Sequence, residues 1–245
     1  MPKLLSNASS NTKTRKQLDK FKIEGVIHHM TPDRLADGKR TVCPWSTVGC
    51  RSTCLNTSGR GQVKGDLTID NLSMYMIHRS RIGKTLSWLD HKQAYIGTLC
   101  GELANLEKRA AKKGYSAVAR LNGTSDIPWE SHLHLDAFPA IQFYDYTKGY
   151  KRMLKFLDHP SWPWNYDLTY SDSEETTKRQ VNTIIGKEGN VAVVFRKDIP
   201  KRFMGHKVIT GMEHDFRYKD KKSRIVGLIA RGRAKKDDTG FVVDV

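Results

Sequence analysis

The sequence predicts an α/β protein in a single domain, a parallel β/α barrel of the TIM type with seven candidate strands in place of eight. Short apolar or β-branched runs at Ala117–Leu121, Ile141–Tyr144, Tyr166–Tyr170 and Val191–Phe195 begin about 25 residues apart, room for one helix and two turns per repeat. Polar residues follow the runs: Asn122, Thr124 and Asp126; Asp145, Thr147 and Lys148; Ser171 and Asp172; Arg196; Asp215 and Arg217; Arg231 and Arg233. A parallel barrel gathers such positions at one mouth, where active sites are built. A length of 245 residues also suits one barrel domain.

The elements follow in order. Residues 1–20 are polar, basic and without periodicity, and read as a flexible arm ahead of a barrel domain over 21–245. Phe21–His28 is the first strand, and the loop after it, rich in Pro, Gly, Ser and Thr, carries three cysteines over 43–54. Leu67 to Trp88 reads as helix, interrupted near Gly83. A second helix is capped by Asp90 and runs to about Lys113, because Ile96, Leu99, Leu103, Leu106 and Ala110 recur at three- and four-residue steps and Gly114 supplies the stop. The four regular runs come next, and Val208–Thr210 and Ile225–Ala230 complete the strands. Ser171 or Ser173 caps a helix that has Glu174 and Glu175 in its first turn.

Lysine and arginine outnumber acidic residues 42 to 26, a formal charge of +16. A field of that sign draws polyanions, so nucleic acid or a nucleotide is the expected partner; a self-repelling, soluble surface is the plainer account of the same charge. No apolar stretch approaches the roughly 20 residues needed to span a bilayer, and the N-terminus lacks an apolar signal core. No membrane association and a cytoplasmic location, in an infected host cell if the protein is viral, are expected. The oligomeric state is not legible. Walker, dinucleotide-glycine and zinc-deaminase motifs are absent.

Four cysteines, three of them crowded at Cys43, Cys50 and Cys54, do not suit a disulfide framework. Their spacings of six and three residues let one loop wrap its sulfurs around a metal. Three thiolates leave a coordination position open. In a 4Fe–4S cluster that open iron can chelate S-adenosylmethionine (SAM), whose reductive cleavage yields a carbon radical. Zn²⁺ is the alternative metal and wants a fourth ligand, for which His28, His29 and His78 are candidates. Cys100 falls on the apolar stripe of its helix and is expected to pack.

The stretch Cys43–Cys54 with Leu55–Gly61, together with Val118–Glu130, Gln142–Lys148 and Val191–Arg196, resembles a family of bacteriophage proteins with a three-cysteine motif. Some of these look like distant relatives of the radical SAM barrels. The resemblance covers the chain from about residue 20 onward and implies a phage origin and a β/α barrel. The cysteine gaps here, six and three, are wider than in usual radical SAM enzymes.

The segment Asn122-Gly123-Thr124-Ser125-Asp126 ends a strand where the resemblance places contacts to the cofactor's amino group. Asn122, Thr124, Asp126, Ser171 and Arg196 are therefore the candidate cofactor-binding residues. A glycine turn with Ser125 or Asp126 capping a helix is the structural alternative. Asp126, Asp145 and Lys148 are the candidate catalytic groups, as acid and base or as a phosphate contact, with surface solvation as the alternative for Asp145 and Lys148. The leading expectation is an iron–sulfur, radical SAM-like enzyme acting on a nucleotide, nucleic acid or other anionic substrate. A basic nucleic-acid-binding accessory protein with structural zinc competes with it, and a metal-free hydrolase using Asp126, Asp145 or Glu130 is third.

Overall fold

All seven anticipated strands form, within three residues of their expected ends. A computed structural model of the protein describes residues 3–8 and 18–245. Its strands are β1 (Leu5–Asn7), β2 (Ile23–His28), β3 (Ser116–Arg120), β4 (Ile141–Thr147), β5 (Tyr166–Ser171), β6 (Val191–Phe195), β7 (Arg202–Phe203), β8 (His206–Thr210), β9 (Ile225–Ile229) and β10 (Val242–Val243). They make one sheet in the order β1-β2-β3-β4-β5-β6-β9-β8-β7, with β10 also paired to β6. The pairs β2·β3, β3·β4, β5·β6, β6·β9, β8·β9 and β6·β10 are parallel, while β1·β2 and β7·β8 are antiparallel.

The expected closed TIM-like ring is not what these pairings give. The path ends at β1 and β7, and no ladder joins those ends among the described residues. The late strands take a different order: β9 follows β8 through a segment in which the 3-10 turn Arg217–Lys219 is the regular element among the described residues, β9 pairs with β6, and β8 lies outside β9.

The β7·β8 hairpin pairs Arg202 with Lys207 and Phe203 with His206, leaving Met204 and Gly205 as a two-residue turn at φ 50° and 90°. Positive φ at both positions is the type I′ geometry that suits strand twist, and methionine is poorly adapted to it. Met204→Asn is expected to raise the urea-unfolding free energy by about 0.5–1 kcal/mol. No gain would contradict the turn type.

The helices are α1 (Val48–Ser52), α2 (Ile69–Ser73), α3 (Met76–Asp90), α4 (Lys92–Lys113), α5 (Tyr150–Asp158) and α6 (Lys178–Gly186). The stripe on α4 buries Tyr95, Leu99, Leu103, Leu106 and Ala110 against β2 and β3, and Gly114 ends the helix at φ 64°. Each leucine buried there contributes about 1.5–3 kcal/mol, against at most about 1 kcal/mol for an exposed ion pair, so the stripe fixes the helix. Asp90 does not cap α4. It ends α3 and pairs with Arg40 at 2.7 Å. The break in the preceding helix falls at Met74 and Tyr75, not at Gly83, which lies inside α3. The cap of α6 is Thr177, in a capping box with Gln180, rather than Ser171 or Ser173.

Two further readings are corrected. Residues 5–7 of the supposed arm form β1: Leu4 and Leu5 are buried, their N–H groups donate to Glu102 at 2.7 and 2.8 Å, and Lys84 Nζ donates to Leu4 O at 2.8 Å. Residues 1–2 and 9–17 of that segment lie outside the described residues. The single domain becomes two compact units, one of Met1–Cys43, Val63–Asp145 and Pro163–Asp167, the other of Pro44–Gln62, Tyr146–Trp162 and Leu168–Val245.

Candidate functional site

In the first unit the loops after β2 and β3 are stitched together. Gly123 N–H donates to His28 O at 2.9 Å, and a Cβ on Gly123 would come within 2.6 Å of that oxygen, so only glycine fits. Thr124 Oγ1 donates to Met30 O at 2.6 Å and accepts from Met30 N–H at 3.1 Å, while Asp126 N–H donates to Val42 O at 2.9 Å. These ties set Cys43 beside the β3 loop, at the carboxyl ends of parallel strands. Its Sγ accepts from Asp33 N–H at 3.3 Å and lies 3.9 Å from Thr124 O. A backbone N–H on sulfur is the contact that tunes cysteine ligands of iron–sulfur centres.

Asn122 and Asp145 have a different job from the one expected. Asp145 is fully buried; it accepts from Asn122 N–H at 2.7 Å, Asn122 Nδ2 at 3.3 Å and Tyr166 O–H at 2.9 Å. The Asn122 amide also donates to Ile127 O at 2.9 Å and accepts from Ile127 N–H at 2.9 Å and Ser125 Oγ at 2.8 Å. Both side chains are spent on bracing the strand ends. The sequence marked both residues as polar groups near strand ends but gave no sign that a tyrosine 21 positions beyond Asp145 would complete the brace.

His28 is no metal ligand. Its Nδ1 meets Leu121 O at 3.0 Å, an acceptor only, so Nδ1 carries the proton and Nε2 accepts from Tyr95 O–H. Neither ring lone pair is left for a metal. Glu130 is half-buried in a 3-10 turn, next to a fully buried Trp129 whose Nε1 donates to Leu121 O at 3.2 Å.

In the second unit, Cys50 rides on α1. Thr47 caps this helix, accepting from Cys50 N–H at 3.2 Å, and Glu174 grips its start by accepting from Gly49 N–H at 2.7 Å and Thr47 Oγ1 at 2.9 Å. A Cβ on Gly49 would strike Thr239 Oγ1 at 2.3 Å and Phe241 Cβ at 2.5 Å, so the loop is seated tightly. Cys54 precedes a 3-10 turn, Leu55–Thr57. Glu174, expected only as a helix-dipole partner, is the residue the sequence reading missed; nothing in its local pattern points to a contact 125 residues away.

Lys148 and Ser171 do come together after β4 and β5. Lys148 Nζ donates to Ser171 Oγ at 2.6 Å and lies 4.7 Å from the Phe241 ring centroid. Asp172, beside them in sequence, is buried; burial pushes its carboxyl up to about 6, and its Oδ1 meets no partner. Arg196 is not available to a cofactor: its guanidinium holds Asp244 at 2.6 and 3.0 Å, Lys235 O at 2.9 Å and Asp237 O at 2.8 Å, clamping the C-terminal segment onto β6. Arg231, Arg233, Lys235 and Lys236 are exposed on the 3-10 turn Gly232–Lys236. Gly232, at φ 57°, approaches Ser58, just beyond the cysteines.

None of the four cysteines is in a disulfide, and all are of intermediate exposure. Cys43 belongs to the first unit and Cys50 and Cys54 to the second. Among the described residues no three His, Cys, Asp or Glu side chains are grouped so as to hold a metal ion. No helix there is long and apolar enough to cross a membrane.

Fold and loops thus define a mixed α/β protein with one mostly parallel sheet and three cysteines, none in a disulfide, in the loop after β2. The chain belongs to the gene product 88 family, which matches it over residues 3–245, in keeping with the bacteriophage resemblance of the sequence. No curated protein and no solved structure matches it.

Proposed function

We propose that the protein is an iron–sulfur enzyme in which Cys43, Cys50 and Cys54 bind a 4Fe–4S cluster with one open iron, and that it performs radical SAM-like chemistry on a nucleotide, nucleic acid or other anionic substrate. The observation that carries this reading is the crowding of three half-exposed cysteines, none of them in a disulfide, within one twelve-residue segment. The donor chemistry fits iron, and the Asp33 N–H on Cys43 Sγ is the contact such a ligand uses. Among the described residues no three donors are grouped to hold a metal ion, so in this proposal the ligand set is completed only when the metal binds, as in metal sites that form with folding. When bound, the cluster would supply the electron for SAM cleavage. The chain's own part is to orient and screen. Thr124 and Asp126 are the candidate cofactor contacts of the first unit, and Lys148, held by Ser171, is the candidate anion contact of the second.

Anaerobic reconstitution with iron and sulfide analysis and electron paramagnetic resonance, with and without SAM, tests the proposal. We expect about four irons per chain, the number in such a cluster, and a SAM-dependent change in the signal. Iron content no higher than in a Cys43→Ser, Cys50→Ser, Cys54→Ser triple variant would end it. The exposed basic turn packed near Ser58 favours a second reading, structural zinc in a nucleic-acid-binding accessory protein. One zinc, no iron and steeply salt-dependent nucleic-acid binding would select it.

A further inference from the structure

The second unit carries exposed cations beside its cysteine segment. Cys54 leads into two successive 3-10 turns, Leu55–Thr57 and Gly59–Gly61, and Arg60 stands exposed on the second. Ser58 joins them: its N–H and its Oγ donate to Leu55 O at 3.1 and 2.9 Å, and its carbonyl accepts from Gly61 N–H at 3.1 Å. The 3-10 turn Gly232–Lys236 lies against that junction, since a Cβ on Gly232 would come within 3.3 Å of Ser58 Cβ and 4.0 Å of Ser58 Cα. Arg231, Lys235 and Lys236 are exposed on this turn and its entry.

The fold holds these cations in place. Ala234, between them, is buried in a cluster with Ala230 and Val242, and Arg196 donates to Lys235 O at 2.9 Å and Asp237 O at 2.8 Å. Two neighbouring acids are engaged elsewhere. The Asp237 carboxylate accepts from Thr239 Oγ1 at 2.8 Å and Val242 N–H at 2.9 Å, and Asp244 is held by Arg196. Asp238 is exposed and offsets one of the four positive charges. A turn that fixes like charges side by side is stabilised when a polyanion lies across it.

We propose that Arg60, Arg231, Lys235 and Lys236 form a docking surface for the phosphate backbone of double-stranded nucleic acid. From Arg231 to Lys236 the chain spans about 10 Å at the 3-10 rise, the axial length of about three base pairs. Water and salt screen exposed cations, so each binds a lone phosphate weakly. A mononucleotide gains little from them, whereas a polymer engages several at once and releases the counterions condensed on it. The inference rests on the anionic-substrate part of the proposed function and names that substrate as a nucleic-acid duplex, set along the segment that bears Cys50 and Cys54. It uses no cysteine side chain, so it can fail while the cluster stands, and the cluster can fail while it stands.

The test is fluorescence anisotropy of a labelled DNA duplex of about 20 base pairs, titrated with the full chain over about 0.05–0.3 M salt. Lys235→Gln with Lys236→Gln should weaken binding by about tenfold or more and reduce the log–log salt slope by about two. Arg60→Gln should reduce the slope by about one, because the Ser58 contact brings its segment to the same surface. A control pair, Lys112→Gln with Lys207→Gln, removes the same net charge from exposed positions elsewhere and should leave the slope unchanged. Should Arg60→Gln lose its fold by circular dichroism, the lysine pair decides. The Cys43→Ser, Cys50→Ser, Cys54→Ser triple variant should bind the duplex as the wild type does. A slope unmoved by the lysine pair, a control pair that reduces it equally, or polyglutamate competing as well as unlabelled duplex at equal charge would overturn the proposal.

Discussion

Lowering the pH from 6.5 towards 4 is expected to destabilise the fold by on the order of 3 kcal/mol through His28 alone. His28 is fully buried, and burial, aided by the Lys84 charge and opposed by the bond to Leu121 O, lowers its pKa from 6.5 to about 4. Between those values the unfolded chain binds a proton that the folded chain refuses, so stability is present above 6.5 and lost as pH falls through the window. His29 acts in the same direction but is half-exposed, and its share is smaller. Asp172 opposes both. Its raised pKa, about 6 against 3.8, lets the folded state bind a proton first on the way down. Its window, from about 6 to 3.8, nearly coincides with that of His28, so the two contributions largely offset in the wild type and the His28 share is read from the difference between wild type and His28→Gln. Urea unfolding at pH 7 and pH 4.5 measures the effect. His28→Gln should lower stability at neutral pH and flatten the acid slope by about one proton. A variant with the wild-type slope would assign the acid response elsewhere.

The parallel strands were legible because fully buried strands read as short apolar runs at regular spacing, although only the β4–β5 and β5–β6 connections carry an α-helix and two 3-10 turns bridge β3 and β4. The order of the last strands was not, because the edge a strand joins depends on pairings between residues far apart in the chain. The two-residue pieces β7 and β10 carry too little pattern to be read, and the Met-Gly turn of the hairpin hides behind a residue seldom found at positive φ. At the candidate site, residue type pointed to the strand ends, although Asp145 and Thr147 lie within β4 rather than after it. It did not separate groups that face a ligand from groups that hold the loops: Arg196 looks like an anion contact in sequence and is a clamp on Asp244 in the fold. Glu174 shows the converse, a helix-turn acid that grips the start of α1. Such roles depend on contacts between residues far apart in the chain.

Asp145 carries the largest mutational effect. Asp145→Ala is expected to cost about 3–5 kcal/mol, because it strips the partner from donors that burial keeps from water. Those donors are the Asn122 N–H, the Asn122 amide and the Tyr166 hydroxyl, which meet the carboxylate from the segment after β3 and from β5. Asp145→Asn keeps the volume and one acceptor, turns an N–H towards a donor, and should cost about half as much. Tyr166→Phe removes one donor cleanly and should cost about 1–2 kcal/mol. Because Tyr166 loses its partner in Asp145→Ala already, the double variant should be less destabilised than the sum of the singles. Urea-unfolding free energies give all four numbers. They also separate the brace from the catalytic role that the sequence suggested for this residue. A catalytic carboxylate would leave stability within about 1 kcal/mol of wild type when removed, whereas a brace loses stability first, with any loss of activity following from it.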